Sequence, residues 1–431
     1  MVKLIGCGAA GCSAAIEAFE QGIVELNDFL LLNTTDVDIP EKYHSKTYLV
    51  NKTLNPNPTS KDNIYIERKG TGKERNIAKD ICLFYFQNDD GGQFNLINKL
   101  TEMFNSTNNI EEDIAVIVTS TEGGSGSGIS IHVASFLRTM GINIIMVPIT
   151  GFEKDGRSLK NTFEFFKDMS PEYVICPISN KKFLDGGTNY PKAEKDANVE
   201  FAKRLRVIKG DHRRRSSCNK EIDDTDQFKS VTTPGIMDII YVDLSAIKNI
   251  KMFNEAVSFA LDDSKGIDNS NPQQKKLSIY YNIAEAKKSM IDFNASIVKE
   301  RLGDVFELFE HIQEPIIEDP AEGKDYMYII SSGMNLPIDE IKATYDRFND
   351  RIKNISTDVG GFSGIAAMVA EAPSVFDMGS NKPTVKIESS IKNTASDARA
   401  KFLKNLGQNV GEDTNITKGF KNTKSSDDFK V

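Results

Sequence analysis

Short apolar runs alternate with amphipathic segments from the first residues onward. Residues 2 to 32 read as an apolar run, a glycine loop, an alanine-rich helix and a second apolar run, "FLLLN", that ends at Asn33. That is a β-α-β unit, whose parallel strands require the crossover helix. A polar stretch from Asn55 to Asn63 leads to a glycine-bearing loop, "RKGTGKE", at Arg68 to Glu74, and the spacing then predicts helices over "NIAKDICLFYF" and "FNLINKLTEMF". "DIAVIVTSTE" has the branched apolar run of a buried strand, and "ISIHVASFLRTM" has helical spacing. The segment "EGGSGSGIS", Glu122 to Ser130, therefore sits between a strand's carboxyl end and a helix's amino end. "INIIMVPIT" and "EYVICPIS" read as two more strands, so residues 1–190 form a doubly wound, Rossmann-like α/β domain.

The pattern then changes. Residues 191–209 form a charged amphipathic connecting helix, and 210–230 carry a basic block followed by an acidic one with no hydrophobic period, as in a mobile surface insertion. Residues 231–375 form a second, α+β domain. It opens with a loop and strand at "VTTPGIMDIIYVDLSAI" and continues with helices around "MIDFNASIVKERLGDVFELFEHI". A strand "DYMYIISSG", a helix "PIDEIKATYDRFNDRIK" and a strand "FSGIAAMVAEA" follow. Residues 376–431 turn polar, with a helix at "SDARAKFLKNL" and a flexible tail. There is no internal repeat.

Composition narrows the chemistry. A net charge of −9 opposes direct wrapping of DNA, so a nucleic-acid role is expected to be indirect. The five cysteines are widely spaced without a CxxC pair, which fits neither a disulfide framework nor a zinc site and points to a reducing cytoplasm. The glycines of the first fifteen residues and the acids Glu17 and Glu20 argue against a signal peptide. No apolar run approaches the roughly 20 residues of a membrane span, so a soluble protein is expected.

The glycine loops carry the chemistry. At a helix amino end the first N–H groups lack partners and the helix dipole is positive. Gly123, Gly124, Gly126 and Gly128 would let an anion approach those groups, and Ser125 and Ser127 would add donors, which describes a phosphate cradle. It is not a P-loop, because Ile129 follows Gly128 where that motif requires lysine. A triphosphate with magnesium suits it. The amino-terminal loop, Gly6-Cys7-Gly8-Ala9-Ala10-Gly11, satisfies GxGxxG and admits an NAD-dependent Rossmann enzyme. Asn33 opposes that alternative, standing where such a unit wants an acid for the ribose. Two cradles suit a nucleotide whose phosphates are held from both sides.

The order "GCGAAGCSAA", "LNTTD", "KGTGKE", "EGGSGSG", "GFEKDGR", "ISNKK" and "PGIMDIIYVDLSAI" resembles the tubulin and FtsZ superfamily of polymerising GTPases over about residues 1 to 250. The resemblance implies a GTPase domain, a central helix, an activation domain and GTP or GDP with Mg2+. It assigns the phosphates to Gly8, Ala9, Ala10, Gly11 and Cys12 and to Gly123 through Gly128. It makes Gly70, Thr71 and Gly72 the sensors of the γ-phosphate, with Lys73 adding charge there. Glu153 falls to the ribose, Arg157 to sugar and phosphates, and Asn180 and Asn198 to the base. Ser13 stands where FtsZ has a base-contacting asparagine, and Thr35 where it has an aspartate. The family completes hydrolysis with a GxxNxDxxD segment from the next subunit in a head-to-tail filament. Here Asp238 replaces its asparagine, Ile240 its first aspartate, and Asp243 keeps the last acid, so Asp243 and, beside it, Asp238 are the catalytic candidates. The departures fit a TubZ-type plasmid or phage tubulin better than a cell-division FtsZ. That implies a DNA-binding adaptor on the carboxyl tail, where Lys418, Lys421 and Lys424 lie without an acid between Asn415 and Lys424.

Overall fold

The computed structural model describes residues 1–55, 65–104, 112–152, 155–184, 189–210, 224–263, 275–282, 306–313, 326–334, 395–409 and parts of 336–350. The first half alternates as expected. Strand β1 (Val2–Cys7) feeds helix α1 (Gly8–Glu20) and then β2 (Phe29–Asn33) and the short β3 (Thr47–Leu49). A small hairpin-like pair, β4 (Lys52–Leu54) and β5 (Tyr65–Glu67), precedes α2 (Arg75–Gln87) and α3 (Leu96–Glu102). Next come β6 (Ile114–Ser120), α4 (Ser125–Thr139), β7 (Asn143–Thr150), α5 (Gly156–Lys167), β8 (Val174–Ile175), β9 (Ile178–Ser179) and α6 (Tyr190–Ile208).

β1 and β6 are buried along nearly their whole length, as central parallel strands covered on both faces must be. Their side chains alternate between two cores. Ile5 and Cys7 join the core under α2, α3 and α4, whereas Leu4 joins the core under α1 and α6. This is the doubly wound α/β arrangement anticipated over residues 1–190.

The later elements are α7 (Asp224–Thr232), β10 (Gly235–Asp243), α8 (Ile250–Asp263), β11 (Lys275–Asn282), β12 (Phe306–Gln313), β13 (Tyr326–Met334) and α9 (Ala395–Asn409). The strand order is β12-β11-β13-β10-β8-β7-β6-β1-β2-β3, with β9 beside β7. The sheet thus runs without a break across the expected domain boundary, joined by the pairs Gly235↔Val174 and Ile236↔Ile175.

Three expectations change. Residues 306–313, read as part of a helix, form β12, because eight consecutive register pairs with β11 outweigh local helical spacing. Part of the charged insertion is an ordered helix: in α7, Gln227, Ser230 and Val231 are buried at i, i+3 and i+4, and Gln227 Nε2 donates to the Val207 carbonyl at 3.0 Å. The glycine segment is also shorter as a loop than its sequence suggests, since α4 already begins at Ser125. Residues 211–223, the expected strand at 362–372 and the tail beyond 409 lie outside the described residues.

Helix α9 returns to the first half of the chain. Phe402 is fully buried against Phe86 and Phe136, and Arg399 donates to the carbonyl of Asp89 at 2.9 Å. Among the described residues no helix is long and apolar enough to cross a membrane.

Candidate functional site

β1 and β6 are neighbours, with Cys7 opposite Thr119, yet the helices that follow them pack on opposite faces of the sheet. The strand order reverses at this pair, and ligands of open α/β sheets bind in the crevice beyond the carboxyl ends at such a reversal. Both glycine loops open there. Gly8 has φ +72°, and a Cβ on it would come within 2.6 Å of Gly126 Cα. A Cβ on Gly126 would collide with the Cys7 carbonyl oxygen and lie 2.6 Å from the Thr119 hydroxyl oxygen. The two backbones touch because neither carries a side chain.

Neither helix is capped by its own sequence. Cys7 precedes α1 and Gly124 precedes α4, no side chain accepts from either first turn, and no acid lies in either turn. Two sets of unclaimed N–H groups and two positive dipole ends therefore converge on one crevice, an anion site by construction. Ala9 and Ala10 are exposed at the mouth, so their amides are reachable. Gly11 is packed against the Val118 carbonyl and serves the helix-to-sheet contact. The Cys12 side chain is buried, with Sγ directed at the carbonyls of Gly6 and Leu32, and burial pushes its thiol well above the usual range.

The hydroxyls are shared among three loops. Ser125 Oγ lies 2.6 Å from Thr34 Oγ1, at the end of β2, and 3.3 Å from Thr71 Oγ1. Ser127 differs from the expectation of a free donor: its hydroxyl is fully buried and donates back to the carbonyls of Gly123 and Gly124, stitching the first turn of α4. The loop holding Gly70, Thr71 and Gly72 presses on Gly124, where a Cβ would lie 2.7 Å from the Lys73 carbonyl carbon. Arg157 binds this same loop, donating to the Gly72 carbonyl at 3.1 Å and pairing with Glu74 at 3.1 Å. Glu153 lies outside the described residues.

On the flank of the crevice, Asn198 of α6 donates to Ser13 Oγ of α1 at 3.1 Å, which brings two base candidates together. Asn180 opens a 3-10 turn after β9, is 9% exposed, and keeps a buried Oδ1 with no hydrogen-bond partner. A buried acceptor without a donor is costly, and a ligand N–H would remove that cost. Asn33 closes β2 with its Oδ1 accepting from the Thr34 amide, so the end of that strand offers no carboxylate for a ribose.

Asp238 and Asp243 are five residues apart in β10, over a stretch of unbroken register, and so lie on opposite faces. Asp238 is paired at 3.1 Å with Arg204, which also holds Glu200 at 2.9 Å. Asp243 is exposed, and its Oδ1 accepts from the Ser245 amide at 2.8 Å. Two residues that shape this region, Asn161 and Arg204, had no motif to announce them, and Thr34 lies within "LNTTD" without being singled out there. Among the described residues, no three His, Cys, Asp or Glu side chains converge as a metal site.

No protein-family model and no curated protein matches the sequence. Solved structures do match in fold. TubZ of Clostridium botulinum phage c-st superposes with a TM-score of 0.56 at 16% identity, covering 82% of this chain and 98% of that one. CetZ2 from Haloferax volcanii, solved as a GTPγS-bound protofilament, gives 0.59 at 16% identity over 82% and 99% of the two chains. An FtsZ dimer from M. jannaschii gives 0.54 at 14% identity over 77% and 88%. A crevice between uncapped helices at the strand reversal, with a shared topology across most of three such chains, identifies the fold of this protein as that of the tubulin/FtsZ superfamily.

Proposed function

We propose that this chain is a tubulin-like GTPase that assembles head to tail and hydrolyses GTP where two subunits meet. The observation that carries the reading is the contact of Gly8 with Gly126, which aims two uncapped helix termini at one point. In this reading the amides of Gly8 to Cys12 and of Gly123 to Ser127 take the phosphates. Gly70, Thr71 and Gly72 face the γ-phosphate, with Arg157 behind them. Asn180 offers its unpartnered oxygen to the N–H edge of guanine, and Asn198 and Ser13 flank the base. Bound magnesium would neutralise phosphate charge; phosphate oxygens and water would be its main ligands, with the hydroxyls of Thr34, Thr71 and Ser125 close by. Asp243 of a docked neighbour orients the attacking water as an acceptor, so assembly creates the complete site.

The finer role we propose is movement of plasmid or phage DNA by such filaments, through an adaptor bound to the carboxyl tail. Its support is the run of Lys418, Lys421 and Lys424 and the likeness to a phage TubZ. Plasmid retention with and without residues 410–431 tests that role.

The main test is the GTPase rate per molecule against protein concentration, with pelleting alongside. A common threshold for both is expected. A flat rate with nothing in the pellet would sink the interfacial mechanism.

A further inference from the structure

Asn161 lies in α5, is 4% exposed, and makes one unusual pair of contacts. Its Nδ2 donates to the carbonyl of Lys73 at 3.0 Å and to the carbonyl of Glu122 at 2.9 Å. Those oxygens belong to different loops, the one before α2 and the one before α4. A primary amide has two N–H bonds on one nitrogen, so a single side chain can tie two carbonyls together.

The tie has something to hold. Gly70, Gly72 and Lys73 all have left-handed backbone, at φ 92°, 59° and 64°. Lys73 carries a Cβ, and that conformation is unfavourable for a non-glycine residue. The loop is also pressed onto Gly124, where a Cβ would come within 2.8 Å of the Glu74 nitrogen. Other contacts from α5 and its capping residue reach the same loop: Asp155 pairs with Lys73 at 3.5 Å, and Arg157 pairs with Glu74 and donates to the Gly72 carbonyl, each at 3.1 Å. Those pairs are exposed, and exposed pairs contribute little. Thr71 meets Ser125 through a weak hydroxyl contact at 3.3 Å, and the shorter buried link is Asn161. Asp155 fixes the start of α5 by accepting from the Ser158 amide at 2.8 Å, so the helix is a firm base for it.

We infer that Asn161 is a positioning residue that clamps the loop at 70–74 to the phosphate loop, and that discrimination of a nucleoside triphosphate from a diphosphate depends on this clamp. The inference rests on the reading of the crevice as a GTP site. Asn161 touches neither phosphate nor base; it acts by keeping two loops in one register.

The test uses the full chain below any pelleting concentration, with affinities measured for GTPγS and for GDP. Asn161→Ala should erase about tenfold of the preference for GTPγS, equivalent to about 1.4 kcal/mol, while GDP affinity stays within about twofold. Asn161→Asp, of the same shape but facing two carbonyls with an acceptor, should do at least as much. Equal loss for both nucleotides, or an unchanged ratio, overturns the inference. Hydrogen exchange on the unaltered chain tests it without nucleotide or variant. The Glu74 amide, bonded to the Thr71 carbonyl at 3.0 Å, should exchange about a hundredfold or more slowly than in a free peptide. Free exchange there would mean that no clamp exists. Failure of the unaltered chain to bind GTP would refute the GTP reading and leave the exchange result to decide the clamp.

Discussion

Replacing Gly126 with alanine sets two effects against each other. Alanine is favoured over glycine in a helix by about 1 kcal/mol, and Gly126 lies in the first turn of α4 with no left-handed backbone to preserve. Propensity alone would make Gly126→Ala stabilising. The added Cβ, however, would meet the Cys7 carbonyl oxygen and the Thr119 hydroxyl at 2.6 Å, and the first of these is backbone in the central strand. The Thr119 hydroxyl can turn about its own side-chain bond, but the Cys7 carbonyl cannot give way without moving β1. Overpacking of this kind costs about 1–3 kcal/mol, and here the α4 amides must also be displaced from those of α1. A net loss of about 0–2 kcal/mol is expected, with nucleotide affinity lowered about tenfold or more because the two cradles no longer share one ligand position. Gly123→Ala is the matched control: a Cβ there meets nothing within 4 Å, so stability should hold to within about 0.5 kcal/mol. Urea melts of both variants, with nucleotide titrations, make the comparison. If Gly126→Ala melts and binds like the unaltered chain, the loops do not touch as described and the converging-helix site falls with them.

Asp243→Ala should bind GTP and pellet normally but hydrolyse at a small fraction of the ordinary rate; rapid turnover in that variant would remove the residue from the mechanism. Arg204→Met should lower stability by about 1–3 kcal/mol in a chemical melt, since it removes the ion-pair partner shared by the half-buried Asp238 and Glu200. Acid titration should expose His132. Burial, helped by Lys79 and Arg75 and opposed by Asp168, lowers its pKa to about 3. It therefore stays neutral in the fold while the unfolded chain takes up a proton near pH 6.5. Stability is then complete above about pH 6.5 and falls by about 1.4 kcal/mol per unit as pH drops toward 3. His132→Leu should flatten that slope in melts recorded between pH 6 and 4, and an unchanged slope would contradict the burial argument.

The crevice was legible because its chemistry is a backbone property. Glycine at 8, 123, 124, 126 and 128 is visible in sequence, and only a strand before and a helix after are needed to give those positions meaning. Side-chain commitments were less visible. Ser127 looks like a donor to a ligand, yet its hydroxyl closes its own turn, because a buried hydroxyl in a first helical turn finds the i−4 carbonyl at hand. Asn161 could be found only by folding α5 against two loops separated from it by 88 and 39 residues. The strand β12 was misread as helix for a related reason: its partner β11 lies outside any local window. Long-range pairing decides strands, whereas turns and helix starts are written locally.

The two carboxylates of β10 show how a motif departure can be compensated within one fold. Where the family pattern has asparagine, this chain has Asp238, and the added negative charge would be expensive at 15% side-chain exposure without a partner. Arg204 supplies that partner from α6, the helix that also carries Asn198 beside the crevice. Arg204 further donates to the Pro177 carbonyl at 3.3 Å, so one guanidinium joins α6, the β8–β9 link and β10. Asp238 is thereby committed to holding β10 against the central helix, and a charge so engaged is poorly placed to act on a neighbour's nucleotide. Asp243 is exposed at the far end of the same strand and on its other face. Anchoring and catalysis can then be separated along one strand: loss of Asp238 should appear in stability and loss of Asp243 in turnover. A variant series in which both substitutions reduced turnover equally, with stability intact, would show that the ion pair with Arg204 opens on assembly and that both carboxylates reach the interface.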